Sequence, residues 1–208
     1  MILQKLAPSE KVQGRWLLWL ENGALLRVSE GEVADFALYA GKELSDRELA
    51  QLQQAARRSQ IREKALDLLG YRALSRGELA RKLTEREFSQ EETQEVCDWL
   101  EDLGYLNDSR YAAQVCAHYA AKGYGERRLR EELYRRQVPR EYWEEALGSV
   151  GPTDDEVDAF LRKRFKGERP DPKELKRASD ALLRRGFRYD QVREGLRRYG
   201  MEVEDTEP

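Results

Sequence analysis

Leu79-Ala80-Arg81-Lys82-Leu83-Thr84-Glu85-Arg86-Glu87-Phe88 decides the fold, because its pattern returns twice further along the chain. Shifted by 50 residues, Leu79, Leu83, Arg86, Phe88 and Glu91 become Leu129, Leu133, Arg136, Val138 and Glu141. A further shift of 49 gives Ala178, Leu182, Arg185, Phe187 and Asp190, with chemical class kept throughout. Repeats of this length point to a helical array, in which a unit of two or three helices buries its apolar face only against itself and its neighbours. Each unit reads as helix A, a break, helix B, a turn centred on Phe88, Val138 or Phe187, then helix C. The breaks carry Gly70, then Gly123 and Gly125, then Gly167 with Pro170 and Pro172.

The periodicity around these anchors is helical. Ile61, Ala65, Leu68 and Leu69 fall at i, i+4, i+7 and i+8; Tyr111, Ala112, Val115 and Tyr119 form a second stripe, and Val157, Phe160, Leu161 and Phe165 a third. Each set occupies one side of a 3.6-residue helix. Helix starts are marked by capping boxes at Ser45–Glu48, Ser75–Glu78, Ser89–Glu92 and Thr153–Glu156, and by Asp171 ahead of Pro172. The N-terminus differs. Residues 13–20 and 24–28 flank Glu21-Asn22-Gly23, and Asn-Gly is a strong hairpin signal because both residues tolerate positive φ. The expected fold is therefore mainly α: three three-helix units in tandem behind a small N-terminal β-hairpin. We place the hairpin segment at 1–44, a linker helix and the first unit at 45–106, the second unit at 107–150, the third at 151–200 and an acidic tail at 201–208. Residues 31–44 read as a short helix plus connector ending at Gly41, and every capping box starts at Ser45 or later, so the hairpin reads as an appendage that packs Trp16 or Trp19 on the helices or offers one to a partner.

Composition narrows the function. Of 208 residues 37% are charged, yet 37 Lys and Arg against 40 Asp and Glu leave a net charge of only −3. Two cysteines without a CxxC spacing and one histidine exclude a zinc site, a disulfide framework and most histidine-based catalysis. The longest apolar runs, such as Trp16 to Leu20, fall far short of the roughly 20 residues that cross a membrane. A cytoplasmic, reduced setting follows as the expectation. No Walker-type glycine loop and no paired nucleophile and base occur, so neither enzymatic activity nor a cofactor is expected.

The near-neutral total hides a polarised chain. Residues 85–108 carry nine acidic groups and one basic, whereas residues 160–198 carry fourteen basic and six acidic, and residues 122–140 seven and three. Lys173, Arg177 and Arg184 share a face opposite Leu175, Ala178 and Leu182; Arg193 and Arg197 follow at i, i+4; Arg127, Arg128, Arg130 and Arg135 crowd two turns. Guanidinium forks grip phosphate or carboxylate bidentately, so these nine residues are the candidate partner- or DNA-binding set. The plainer alternative is a solvated surface laced with pairs such as Arg128–Glu132 and Lys176–Asp180. His118, Cys97 and Cys116 read as packing or surface residues, and the acidic run at 154–158 as charge suited to a helix start rather than a metal site. The tyrosines at the breaks, Tyr71, Tyr105, Tyr124 and Tyr189, read as packed rings with wet hydroxyls.

Three motifs carry a family resemblance. Leu74-Ser75-Arg76-Gly77-Glu78-Leu79, Leu103-Gly104-Tyr105-Leu106-Asn107-Asp108-Ser109-Arg110-Tyr111-Ala112 and Gly123-Tyr124-Gly125-Glu126-Arg127-Arg128-Leu129-Arg130-Glu131-Glu132-Leu133 resemble, in order, signatures of the RecX family. The resemblance spans about residues 58–200. It departs at Gln137, where a glycine is expected, and at the hairpin, which short members of the family lack. It implies a non-enzymatic regulator in DNA repair, homologous recombination and the SOS response. Such proteins bind RecA and the RecA–single-stranded DNA filament, lie in its groove, and inhibit its extension and its recombinase and coprotease activities. A helical array that binds DNA phosphates without RecA is the alternative.

Overall fold

The computed structural model describes residues 1–151, 154–166 and 170–198, and its contacts divide into two bodies. One comprises Met1–Arg72 and Leu79–Leu103, the other Ala73–Glu78 and the chain from Gly104 onward.

In the first body, β1 (Leu3–Pro8), β2 (Arg15–Leu20) and β3 (Leu25–Ser29) form an antiparallel sheet in that order. The β2–β3 hairpin turns at Asn22-Gly23, with Gly23 at φ +81° and Leu18 opposite Leu26. Strand β1 is the addition to the expected hairpin. Leu3, Leu18, Leu20 and Val28 from the sheet share one core with Leu38 and Leu44 from the connector and with Leu52 and Ala56 from helix α2. The sheet is thus built into the helical region rather than appended to it. Trp16 packs on this core, and Trp19 carries the Lys5 ammonium 4.9 Å from its ring.

A short helix α1 (Glu30–Asp35) opens on a Ser29–Glu32 capping box, and α2 (Asp46–Tyr71) runs 26 residues unbroken through Gly70 from the Ser45–Glu48 box. At 1.5 Å per residue α2 is about 39 Å long. Its second half supplies helix A of the first three-helix unit; α3 (Arg76–Thr84) and α4 (Gln90–Asp102) follow as B and C.

The second body holds α5 (Asp108–Ala120), α6 (Glu126–Arg135), α7 (Trp143–Gly148), α8 (Asp154–Phe165), α9 (Pro172–Arg184) and α10 (Tyr189–Arg198). One core gathers Tyr111, Val115, Leu129, Leu133 and Trp143; a separate one gathers Val157, Leu161, Leu182, Phe187 and Leu196. The repeat leucines Leu79, Leu83, Leu129, Leu133 and Leu182 are all fully buried, and Phe187 is 3% exposed. Each contributes roughly 1.5–3 kcal/mol by burial. The Ser75, Ser89 and Asp171 caps form as expected; the Thr153 cap, Gly167 and residues 201–208 lie outside the described residues.

The turns between helices B and C repeat to the residue. Glu87, Gln137 and Gly186, related by the 50- and 49-residue shifts, all adopt positive φ, at 64°, 54° and 89°. Inside the second body, each later turn receives the start of the preceding helix B. The Ser75 hydroxyl donates to the Arg136 carbonyl, and the Gly125 amide, at the repeat-equivalent position, donates to the Arg185 carbonyl at 2.9 Å. In the first body, the Glu87 carbonyl accepts from Arg57 of α2 at 2.7 Å instead, and the same guanidinium lies 4.4 Å from the Phe88 ring.

These contacts account for the departure at Gln137. A Cβ on Gly77 would stand 3.0 Å from the Gln137 Cβ, whereas a Cβ on Gly186 would stand 2.8 Å from the Arg128 Cβ. One side of each contact therefore lacks a side chain: the helix at the first, the turn at the second. Left-handed backbone costs a non-glycine residue about 1–2 kcal/mol, and glycine loses about 0.5–1 kcal/mol more entropy on folding. Gln137→Gly should accordingly raise stability by up to about 1 kcal/mol, read as a shifted denaturant midpoint with unchanged slope. A loss of stability would show that the Gln137 side chain contributes more than its backbone strain removes.

Candidate partner-binding surface

The nine predicted cations divide into two kinds. On α6, Glu132 is 1% exposed, and Arg128 and Arg135 bond to it at 2.9 and 2.6 Å while Arg136 lies 3.7 Å away. Burial pushes the Glu132 carboxyl up, but the bonds from Arg135 and Tyr119 and the charges of Arg135 and Arg128 outweigh it and hold the group below the ordinary glutamate value. Arg136 also donates to the Tyr111 hydroxyl at 2.8 Å. Arg130 bridges Glu126 at 2.8 Å and Glu144 in a fork at 2.9 and 3.2 Å. These arginines are anchored to carboxylates of their own body. Arg127, exposed and 3.5 Å from Glu131, is the loosest of them.

On α9 the arrangement is different. Lys173, Arg177 and Arg184 are exposed, on the face opposite fully buried Ala178 and Leu182, and no carboxylate among the described residues comes within 4.0 Å of them. Asp180 shares that face, half-buried, without closing a pair, and the Lys176–Asp180 bridge suggested by spacing is not formed. On α10, Arg193 is exposed and Arg197 pairs with Glu194 at 3.1 Å. Exposed cations outside ion pairs exchange water for a carboxylate or phosphate at small internal cost. Among the predicted cations, the outer face of α9 thus carries three that are exposed and outside ion pairs among the described residues.

The remaining candidates take packing or surface roles. Cys97 and Cys116 are fully buried, and burial pushes the Cys116 thiol up to about 11. His118 is exposed against the edge of Tyr119. Tyr71 and Tyr105 are exposed, and Tyr124 sits half-buried 6.0 Å from the Arg128 guanidinium. No group of His, Cys, Asp or Glu among the described residues could hold a metal ion, and no helix there is long and apolar enough to cross a membrane.

A cleft of about 550 Å³ in the second body brings together Lys122 after α5, Phe160, Lys163 and Arg164 on α8, and Arg185 at the end of α9. No spacing within one helix announces residues drawn from three.

Tandem three-helix units behind a small N-terminal sheet define a helical-repeat protein. Family models for the first, second and third three-helix domains of RecX match residues 62–100, 107–147 and 154–196. The chain belongs to the RecX family of regulatory proteins. It is 36% identical over 138 residues to regulatory protein RecX of Leptothrix cholodnii, covering 66% of this chain and 87% of that one. Similarity to regulatory protein RecX of Bacillus subtilis, 31% over 211 residues, takes in 99% of this chain and 80% of that one, including the N-terminal sheet. The fold matches a crystal structure of regulatory protein RecX with a TM-score of 0.67 at 19% identity, over 93% of this chain and 98% of that one. RecX from Lactobacillus salivarius matches with a TM-score of 0.62 at 20% identity, over 70% and 98%.

Proposed function

We propose that this chain is a negative regulator of RecA that acts without catalysis. It binds RecA protein, and above all the RecA–single-stranded DNA filament, where it lies in the groove and inhibits extension, recombinase and coprotease activities. The observation that carries the reading is the α9 face, where Lys173, Arg177 and Arg184 stand exposed with no carboxylate partner among the described residues. A filament groove presents both protein carboxylates and DNA phosphates, and guanidinium forks bind either. Arg127, Arg193 and Arg197 extend the same contact. The setting is the cytoplasm, where RecA and chromosomal DNA meet.

The test is RecA-catalysed ATP hydrolysis on single-stranded DNA, titrated with this protein. Wild type should inhibit, and raising salt should weaken inhibition steeply, because charged contacts are screened over about 10 Å at 0.1 M. The double variant Arg177→Glu and Arg184→Glu should lose at least about tenfold in potency, by the usual cost of reversing charges in a desolvated interface. Its melting should stay within about 0.5 kcal/mol of wild type, because exposed residues contribute little to folding. The matching reversal to lysine of Glu91 and Glu95, exposed on α4, should matter far less. Undiminished inhibition by the arginine variant would remove the α9 face from the contact. Equal binding to naked DNA with no gain from RecA would favour a DNA-binding array instead.

A further inference from the structure

Many surface arginines of the second body are answered by acids close at hand: Arg130 by Glu126 and Glu144, Arg197 by Glu194, and Arg198 by Asp158. The outer face of α9 is not. Lys173, Arg177 and Arg184 are exposed there with no carboxylate within 4.0 Å among the described residues. The acids at the start of α9 are committed to its cap, where Asp171 accepts from the Glu174 amide at 2.7 Å and Glu174 from the Asp171 amide at 3.2 Å. Acid in excess stands a few residues beyond α10: Met201-Glu202-Val203-Glu204-Asp205-Thr206-Glu207-Pro208 carries four carboxylate side chains and no Lys or Arg. Ala178 and Leu182 of α9 share one core with Val192 and Leu196 of α10, and helices packed through one core lie about 8–10 Å apart. Six residues beyond Arg198 span up to about 20 Å, enough to bring Glu204, Asp205 and Glu207 from the end of α10 round to the outer face of α9.

We infer that residues 201–208 dock on the α9 face, pairing their carboxylates with Lys173, Arg177 and Arg184, and that a macromolecular partner must displace them. A group tethered by a few residues acts at an effective concentration of about a millimolar, well above that of a carboxylate on a separate molecule. Each exposed pair is weak and screened by salt, so the contact is displaceable rather than permanent. Its effect is to lower the affinity of the face for every anionic partner by a common factor, which leaves the advantage to a partner that meets all three cations at once. The contact itself does not depend on RecA; its regulatory consequence rests on the α9 face being the RecA contact.

The probe is a fluorescent oligoglutamate peptide titrated against the full chain. Glu202→Gln, Glu204→Gln, Asp205→Asn and Glu207→Gln together should tighten its binding at least about threefold. That gain should fade at about 1 M salt, where charges act over only about 3 Å. The same charge removed from the first body, by Glu87→Gln, Glu91→Gln, Glu95→Gln and Asp102→Asn at exposed positions, should tighten binding much less. In a chain that also carries Arg177→Glu and Arg184→Glu, the tail substitutions should lose their effect. The inference is overturned if the tail substitutions leave probe binding unchanged, if the first-body set tightens it equally, or if the gain survives reversal of the α9 arginines. Inhibition of RecA-catalysed ATP hydrolysis separates this inference from the reading it rests on. A tail effect on the probe with no matching gain in inhibition keeps the docked tail and removes α9 from the RecA contact. Inhibition that depends on Arg177 and Arg184, with no tail effect on the probe, keeps the regulatory reading and overturns the docked tail.

Discussion

Gly125→Ala should cost about 3–5 kcal/mol, through overpacking of roughly 1–3 kcal/mol together with two hydrogen bonds of about 1 kcal/mol each. Gly125 has φ −81°, which any residue adopts, so the requirement is for space alone. An added Cβ would stand 2.4 Å from the Phe187 amide nitrogen and 2.5 Å from the Gly186 carbonyl carbon and oxygen. All three are backbone atoms, with no flexible side chain to yield. Relief requires the α6 start to lift off the α9–α10 turn, which breaks the Gly125–Arg185 and Arg127–Gly186 backbone bonds of 2.9 and 3.0 Å. The measurement is denaturant unfolding with limited proteolysis. The variant should release the α8–α10 unit to protease at denaturant concentrations where wild type is intact. An unchanged midpoint and cleavage pattern would mean that the turn accommodates a methyl group and that this contact is not what joins the units.

Glu132→Gln should destabilise by about 1–3 kcal/mol, the usual cost of leaving a buried polar group badly matched, since the arginines it releases stay in contact with solvent. Glutamine keeps the volume but leaves Arg135 without its charge partner and Arg128 with Glu131 alone, and presses an amide N–H₂ toward guanidinium donors. Glu131→Gln is the control: its pairs are exposed and worth under about 1 kcal/mol. The pH dependence has a definite sign. Because the folded carboxyl titrates below its unfolded value, its stabilisation is present above the unfolded glutamate pKa of about 4.3 and is lost as pH falls through the lower folded value. The gap between wild type and Glu132→Gln should therefore be widest near neutrality and close under acid, as seen by denaturation across pH. A gap that persists with the Glu132 carboxyl fully protonated would assign the cost to shape rather than charge.

The helical array was legible because its signals are local and redundant. Leu129, Leu133 and Leu182 announce a buried stripe by spacing alone, and Ser45, Ser89 and Asp171 mark helix starts through caps that need only four consecutive residues. Strand β1 escaped notice because Leu3-Gln4-Lys5-Leu6-Ala7-Pro8 neither alternates cleanly nor adjoins a turn signal; its pairing with β2 and the core beneath it make it a strand. The candidate surface was legible as composition and illegible as partnership. Arg128 and Arg177 look alike in sequence, yet one grips a carboxylate buried by tertiary packing and the other meets no carboxylate among the described residues. Spacing also proposed a Lys176–Asp180 bridge that long side chains in water have little reason to keep.

The alternation of glycine across the two repeat contacts gives the chain a grammar. Gly77 admits the side chain of Gln137, while Gly186 admits the backbone and Cβ of Arg128. Exchange the turns, and Gln137 would be driven into the α6 backbone while Gly186 left a hole beside Gly77. Units built on one plan are therefore not interchangeable parts: each turn is spelled to be read by the helix before it. A segment transplanted from one position to another would carry the right fold and the wrong address, and the order of the array is written in where a single methylene is allowed.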